Sequence, residues 1–359
     1  MKHPYSGLPD YQFWNKEPGI THPAALDPVV RAPFRISPTD KIVTAGSCFA
    51  QHVARYMSRS GYNHYITEKC HPIVGPEVAE AHHYGLWSAR YGNIYTARQL
   101  KQLLLRAWGM FEPATVSWPA PAGCDDGAVV DPFRPQIQPG GFASEAELLR
   151  DRRHHFACLR KAILEMDVFV FNLGLTEGWE DPRDGAVFPL APGVAGGVYD
   201  PDTVNFVNFD ETQTFADLHF ALKFIRNKNP SARFVLAISP VPLAATYEDR
   251  HALVSTGWSK AVLRIAAEKA VKVFDDCAYF PSYELTTSPH VRGAYYDADC
   301  REVLQPGVDH VMRLFMTHYG DPETAPKVPE APLATGDAHT QEMEKAMAVL
   351  CDVAAIDNS

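Results

Sequence analysis

The chain has 359 residues, a formal net charge of −10, 46% hydrophobic residues and 11% aromatic residues. This composition is typical of a packed globular protein, and the acidic charge argues against nucleic acid as the main partner because no basic field dominates. No segment has the eighteen or so uninterrupted apolar residues of a membrane span, and the N-terminus lacks the apolar core of a signal peptide. We therefore expect a cytoplasmic protein without a membrane span.

The first half of the sequence predicts an arm, one strand and three helices. Residues 1–40 are rich in proline and aromatic residues, and we expect an irregular arm packed on the domain. A β-branched run predicts the first strand at 41–46, and apolar residues at helical spacing predict helices at 48–59, 94–109 and 144–165. Many Pro and Gly residues between the last two helices predict a long loop at 112–143.

The second half predicts strands that alternate with helices. Apolar runs predict strands at 167–173, 234–239 and 271–275, and helical spacing predicts helices at 211–227, 258–271 and 306–318. A second Pro/Gly-rich excursion covers 178–201. This alternation predicts an α/β domain with a parallel sheet and helices on both faces.

The sequence divides into three parts. We assign residues 1–40 to the arm, 41–320 to the α/β domain, and 321–359 to a linker and C-terminal helix. That helix, at about 338–352, is amphipathic, and we expect it to pack on the body of the domain or on another subunit.

Seven cysteines are scattered along the chain, and none forms a Cys-x-x-Cys pair. This pattern is typical of reduced thiols rather than of a disulfide framework, and no ligand spacing indicates zinc. We expect neither a metal nor another cofactor.

The segment Gly46-Ser47-Cys48-Phe49-Ala50 lies between the first predicted strand and the first predicted helix. A strand–tight turn–helix unit places a nucleophilic side chain at the carboxyl end of a strand, where α/β folds bind their ligands. The partial positive charge of the helix N-terminus favours a thiolate at Cys48 or an oxyanion beside it. Cys48 and Ser47 are therefore both candidate nucleophiles.

This pentapeptide resembles the GSCFA family, which is named after it and is similar to the SGNH (GDSL-type) hydrolases. Further similar segments extend the resemblance over roughly residues 40–318: Ser239-Pro240-Val241, Ser259-Lys260, and Tyr279-Phe280-Pro281-Ser282-Tyr283-Glu284. The resemblance implies a three-layer α/β/α, flavodoxin-like fold with long Pro/Gly-rich insertions and a C-terminal helical tail. In the Gly-Asp-Ser register of SGNH enzymes, Cys48 falls on the nucleophile, and Ser47 remains the competitor.

The resemblance also implies where an oxyanion would be bound. Gly92, in Tyr91-Gly92-Asn93-Ile94-Tyr95, takes the place of the second SGNH block, and Gly174 and Thr176 take the places of Gly and Asn in the third block. A threonine hydroxyl can donate to an oxyanion, as can the amide of Cys48. The alternatives are purely structural roles: Gly92 would be a loop glycine with a positive φ, and Thr176 would cap a helix.

The general base is where the sequence departs from the SGNH pattern. Asp299-Cys300-Arg301-Glu302 fits the spacing of Asp-x-x-His, but Glu302 stands where the histidine is expected. Glutamate is a poor base at neutral pH, so Asp299 and Glu302 orient the base or replace it. We expect His251 to supply an imidazole, and we keep His52 and His310 as alternatives. A further alternative is that Arg301 or the field of the helix favours the Cys48 thiolate without any histidine.

The resemblance implies ester chemistry on a small molecule or a saccharide. We expect an esterase or acyltransferase acting on carbon–oxygen esters, with acetyl as the acyl group by family analogy and with Asn93, Glu177 and Arg301 binding the substrate. Because the expected histidine is missing, the alternative is a binding module for a glycan or an acyl ligand that no longer catalyses a reaction. A third alternative is an interaction protein that uses its Pro-rich insertions and its terminal helix.

Overall fold

The structure, a computed structural model, describes residues 3–321. Its strands, in chain order, are β1 Ile42–Gly46, β2 Trp118–Pro119, β3 Val129–Val130, β4 Val168–Leu173, β5 Glu177–Glu180, β6 Val187–Phe188, β7 Asn205–Asn208, β8 Arg233–Ile238 and β9 Cys277–Phe280. Its α-helices are α1 Phe49–Arg59, α2 Pro76–Ala81, α3 Ala97–Ala107, α4 Glu145–Glu165, α5 Glu211–Lys228, α6 Ala252–Val273, α7 Ser282–Thr287 and α8 Gln305–Tyr319. The predicted C-terminal helix at 338–352 lies outside the described residues.

The central sheet contains β1, β4, β8 and β9 in that order, and all neighbouring pairs are parallel. On the outer side of β1, Ile42 forms one isolated parallel bridge with His64, in the segment that follows α1. This bridge stands where a second strand would lie, so the chain follows the 2-1-3-4-5 order of flavodoxin-like sheets. The carboxyl ends of β1, β4 and β8 consequently share one edge.

Helices cover both faces of this sheet, and the fold has three layers. Alternate strand residues such as Phe169, Phe171 and Leu236 pack against α3, α4, α5 and α6. The residues between them, such as Val170 and Val235, pack against α1, α7 and α8. A parallel sheet that is buried on both faces has strands that are apolar throughout, which is why these runs are recognisable in the sequence.

The N-terminal arm contains four short 3₁₀ helices and packs beside α8. Ile36 is fully buried, and its N–H donates to the carbonyl of Tyr319 at 2.7 Å. Leu26 is buried in the same apolar cluster. The arm thus contributes side chains to the interior on this face of the sheet.

Two predicted segments differ in the structure. The strand predicted at 271–275 is wrong: α6 continues to Val273, and the strand lies at Cys277–Phe280. Val271 and Phe274 pack against the core from the end of the helix, so tertiary contacts override their β-branched and aromatic preference for a strand. The excursion predicted at 178–201 contains β5 and β6, which with β7 form a small antiparallel sheet in the order β6-β5-β7.

Within residues 3–321, we find no helix with both the length and the apolar character that a membrane crossing requires.

Candidate functional site

A cavity of about 340 Å³ opens at the carboxyl edge of the central sheet. Residues that follow three of its strands line this cavity, among them Cys48 after β1, Gly174 after β4 and Ser239 after β8. The loop before α3 adds Tyr95, and the loop before α8 adds Arg301. Most of the remaining wall is apolar or aromatic: Leu175, Trp179, Pro189, Leu190, Ala191, Val194, Tyr199, Phe206, Val241, Pro242, Leu243, Ala244, Ala245 and Tyr247.

The turn between β1 and α1 presents Cys48 to this cavity. Gly46 has φ +134°, and a Cβ at this position would collide with the carbonyl oxygen of Asn172. Only glycine fits, because the backbone of β1 passes directly against β4 here. Cys48 then occupies the N-cap position of α1, where the helix dipole is positive.

Ser47 faces Asn172 rather than a base. Its hydroxyl donates to Oδ1 of Asn172 at 2.6 Å, and its side chain is buried. An amide oxygen accepts a hydrogen bond but does not take up a proton at neutral pH. The partner of the Ser47 hydroxyl in this structure is therefore not a general base.

Lys260 of α6 is buried, and it is close enough to Cys48 for the charges of the two groups to interact. Its Nζ donates to the carbonyl of Gly174 at 2.8 Å. Burial, which is the main cause, and the charge of Arg301 lower the pKa of Lys260 to about 7, although the nearby Cys48 thiolate acts in the opposite direction. An amine with this pKa exchanges a proton at neutral pH.

Gly174 is held tightly between the elements of the site. A Cβ here would lie 3.0 Å from Cβ of Ser47 and 3.2 Å from a ring carbon of Tyr95. The N–H groups of Gly174 and Leu175 both donate to the carbonyl of Tyr95 at 3.0 Å. The amide of Gly174 is thus already engaged, although its role as an oxyanion donor was expected from the sequence.

Glu177 and Arg301, which were expected to bind substrate, both line the cavity. Glu177 accepts from the hydroxyl of Thr246 at 2.7 Å and from the N–H of Tyr247 at 3.4 Å. Burial raises the pKa of the Glu177 carboxyl. These two residues provide opposite charges at the cavity wall.

Three other predicted residues do not line this cavity. Gly92 and Asn93 border a separate void of about 10 Å³. The hydroxyl of Thr176 donates to Oδ1 of Asn208 at 2.7 Å, and its N–H donates to Ser259 at 3.1 Å. Thr176 is therefore part of the packing behind the site, and its proposed role and those of Gly92 and Asn93 remain predictions.

The predicted acid–base residues Asp299, Glu302 and His251 are exposed and do not line the cavity. Asp299 accepts the N–H groups of Arg301, at 2.9 Å, and Glu302, at 3.0 Å, which identifies it as a turn residue. These hydrogen bonds, that from Arg301 first, lower the pKa of the Asp299 carboxyl. His251 is the N-cap of α6 and accepts the N–H of Leu253 at 3.1 Å.

The two alternative histidines also lie elsewhere. His310 interacts with the hydroxyl of Tyr295 at 2.7 Å and the carbonyl of Leu26 at 2.9 Å, so both of its ring nitrogens are engaged. His52 packs against Phe49, and burial lowers its pKa to about 4. Among the described residues, no histidine lines the cavity.

The sequence alone assigned no role in proton transfer to Lys260, which interacts with Cys48 in the structure. A signal was present: Lys260 precedes Leu263, Ala267 and Ala270 by three, seven and ten residues. This spacing places Lys260 on the apolar face of α6. Burial of a lysine on such a face is unfavourable unless its ammonium group has a partner.

A metal site is not evident in residues 3–321, because no three His, Cys, Asp or Glu side chains are grouped there as possible ligands.

The fold and the cavity define a three-layer α/β protein with a thiol and a buried amine at the carboxyl edge of its sheet. Residues 41–315 match the GSCFA family, and the chain belongs to that family. No curated protein matches the chain.

Proposed function

We propose that this protein is an ester hydrolase or acyltransferase that uses Cys48 as its nucleophile and Lys260 as its general base. The observation that carries the proposal is a buried amine that donates to the carbonyl of Gly174, has a pKa of about 7, and interacts electrostatically with a thiol at a helix N-terminus. A neighbouring general base activates a thiol by accepting its proton, and a buried lysine with a pKa near 7 can be that base in place of a histidine. In this proposal Lys260 is the general base, the role for which the resemblance implies a histidine at the position of Glu302.

The reaction proceeds in two steps, acylation of Cys48 and then deacylation. Neutral Lys260 accepts the proton of the Cys48 thiol, and Sγ attacks the carbonyl carbon of the ester. The carbon–oxygen bond then breaks, and the leaving alkoxide takes the proton from Lys260, which yields an alcohol and an acyl thioester on Cys48. Water or an acceptor hydroxyl next attacks the thioester, and neutral Lys260 accepts the proton of this nucleophile. Lys260 then gives that proton to the leaving thiolate, which restores the Cys48 thiol and releases the acid or the new ester.

The oxyanion that forms in each step needs positive charge nearby. The N-terminal turn of α1 begins directly after Cys48 and supplies partial positive charge from its backbone amides. Arg301 adds a full positive charge at the cavity wall. The backbone amides of the α1 N-terminus are held by the helix itself, so they need little reorganisation when the oxyanion forms.

A chromogenic ester assay tests this proposal. Cys48→Ala should abolish turnover, whereas Ser47→Ala should reduce it only in part, because Ser47 lacks a base. Cys300→Ala, at an exposed cysteine outside the cavity, is the matched control and should keep the wild-type rate. Intact-mass measurement after a brief reaction should detect one acyl group on the wild type and none on Cys48→Ala.

The alternative is a binding module that keeps the cavity but does not turn over esters. The absence of histidine from the cavity lining of the described chain favours this alternative. If the wild type forms no acyl adduct and hydrolyses no ester, while a ligand still binds the cavity, the binding module is correct and the catalytic proposal is wrong.

A further inference from the structure

We propose that the cavity beside Cys48 accepts an apolar acyl group of roughly six to ten carbons rather than an acetyl group. This inference rests on the proposed ester chemistry of Cys48, and it names the class of substrate. It differs from the acetyl group that the family resemblance implies. Three features of the wall support it: its aromatic cluster, the state of its polar groups, and its size.

The outer wall of the cavity is a cluster of aromatic rings. Trp179 packs edge-to-face against Tyr199, Phe206 and Tyr247, with ring centroids 5.6, 5.7 and 4.9 Å apart. The hydroxyls of Tyr199 and Tyr247 lie 3.0 Å apart and join two separate loops at the rim. Rings that pack on one another by their edges form a continuous apolar surface.

The polar groups of the wall largely satisfy one another. Glu177 accepts from Thr246 and Tyr247, as described above, and Thr246 also lies 3.2 Å from the hydroxyl of Ser255. Ser239 accepts the N–H of Val241 at 3.3 Å. A saccharide in this cavity would have to compete with these internal hydrogen bonds, whereas a hydrocarbon chain leaves them intact.

The cavity is larger than an acetyl group requires. Its volume of about 340 Å³ is that of sites that enclose drug-sized ligands. An acetyl group on Cys48 would leave the apolar walls formed by Leu190, Val194 and Leu243 in contact with water. A longer acyl chain removes this surface from water, and each buried methylene strengthens binding by about fourfold.

A series of p-nitrophenyl esters tests the inference, from acetate through butyrate, hexanoate, octanoate and decanoate to dodecanoate. We expect kcat/KM to rise with chain length, to peak between hexanoate and decanoate, and to exceed the acetate value by about thirtyfold or more. Ala191→Phe and Ala244→Phe fill the cavity and should move the peak to a shorter chain. Ile73→Phe is the matched control, because Ile73 is 85% exposed and outside the cavity lining, and it should keep the wild-type profile.

Calorimetric titration with the free carboxylates, from butyrate to decanoate, separates the inference from the catalytic proposal. If esters turn over with acetate fastest, or with no dependence on chain length, the inference is wrong and the ester chemistry stands. If no ester turns over but affinity rises with chain length and falls in Ala191→Phe, the apolar pocket is supported and the catalytic proposal is wrong. If there is neither turnover nor chain-length-dependent binding, both are wrong.

Discussion

Lys260 is the residue whose chemistry has the clearest energetic consequence. Its side chain is only 2% exposed, and its pKa falls from 10.5 in the unfolded chain to about 7. Between these two pH values the unfolded chain holds a proton that the folded protein lacks, so stability rises with pH across this window. At pH 7 and below, the folded protein carries the full cost of the buried ammonium.

Lys260→Met should therefore have opposite effects on stability and activity. We expect a gain in the free energy of unfolding at pH 6 of up to a few kcal/mol, less the lost hydrogen bond to Gly174, and a shrinking gain as the pH approaches 10.5. We expect kcat/KM to fall by roughly 10²–10⁴-fold and to lose its rise with pH near 7. Urea unfolding at pH 6 and pH 10, with a pH–rate profile, checks both; an unaltered profile in the variant contradicts the assigned role.

The sequence predicted part of the site because apolar runs indicate where strands end. They do not indicate how deeply a given side chain is buried. Cys48 could be placed, since a buried strand ends directly before it and the carboxyl ends of parallel strands share an edge. His251 follows a strand that ends at the same edge, but its ring turns outward to cap α6, and a strand pattern carries no information on that rotamer. Lys260 was recognisable as part of a helix, yet its role depends on its depth beside Cys48, which only the packed structure reveals.

The unit formed by β1, its turn and α1 depends on a close approach between two strands. Gly46 combines a positive φ with direct contact against the backbone of β4. A side chain there meets two separate costs, conformational strain and collision. Since Cys48 follows two residues later, any shift of this turn also displaces the thiol.

Gly46→Ala should cost about 3 kcal/mol or more of unfolding free energy and should reduce activity in the fraction that folds. Gly61→Ala is the matched control: Gly61 has φ +77° and no atom near the position of a Cβ. This control should lower the free energy of unfolding by only about 1–2 kcal/mol, which is the cost of a non-glycine residue in the left-handed conformation. Equal losses in the two variants, measured by urea unfolding, would show that the contact with Asn172 is unimportant.

Among the elements, the long regular ones were predicted and the short paired ones were not. Helix α4 was predicted because its apolar residues recur at helical spacing over many turns, and in the structure Ser144 caps it. The strands β6 and β7, by contrast, contain two and four residues and pair with β5 from different places in the sequence. Such pairings depend on contacts between distant residues, which no local periodicity records.

Across the whole molecule, a buried network of charges joins the long insertion to α4. Asp131 interacts with Arg134 at 3.1 Å and Arg152 at 2.9 Å, while Asp151 binds Arg134 at 2.7 Å. Burial opposes the charge on Asp131, but Arg152 and the other nearby arginines outweigh it, and the pKa of its carboxyl is well below the ordinary value. Arg90 extends the network to Glu68, because it lies 2.9 Å from Asp151 and 3.7 Å from Glu68.

Asp131→Asn should lower the free energy of unfolding at pH 7 by about 3–5 kcal/mol, because it leaves buried arginines without their partner. A carboxyl whose pKa is lowered on folding stabilises the protein above its unfolded pKa of about 3.8, and this stabilisation is lost as the pH falls. The difference between wild type and variant should thus shrink below pH 4. The control Asp126→Asn, at an exposed residue, should change the free energy of unfolding by less than about 0.5 kcal/mol. Urea unfolding at pH 7 and below pH 4 measures these differences.

The small sheet formed by β5, β6 and β7 carries part of the cavity wall, and it is a different structural element from those that carry Cys48 and Lys260. Trp179 and Phe206 of the aromatic cavity wall lie in this small sheet, whereas Cys48 and Lys260 lie on elements of the central α/β framework. Substitutions in this small sheet can therefore change the aromatic wall without altering Cys48 or Lys260. On this account, members of the family would diversify in substrate through the segment 177–208 while retaining one reaction.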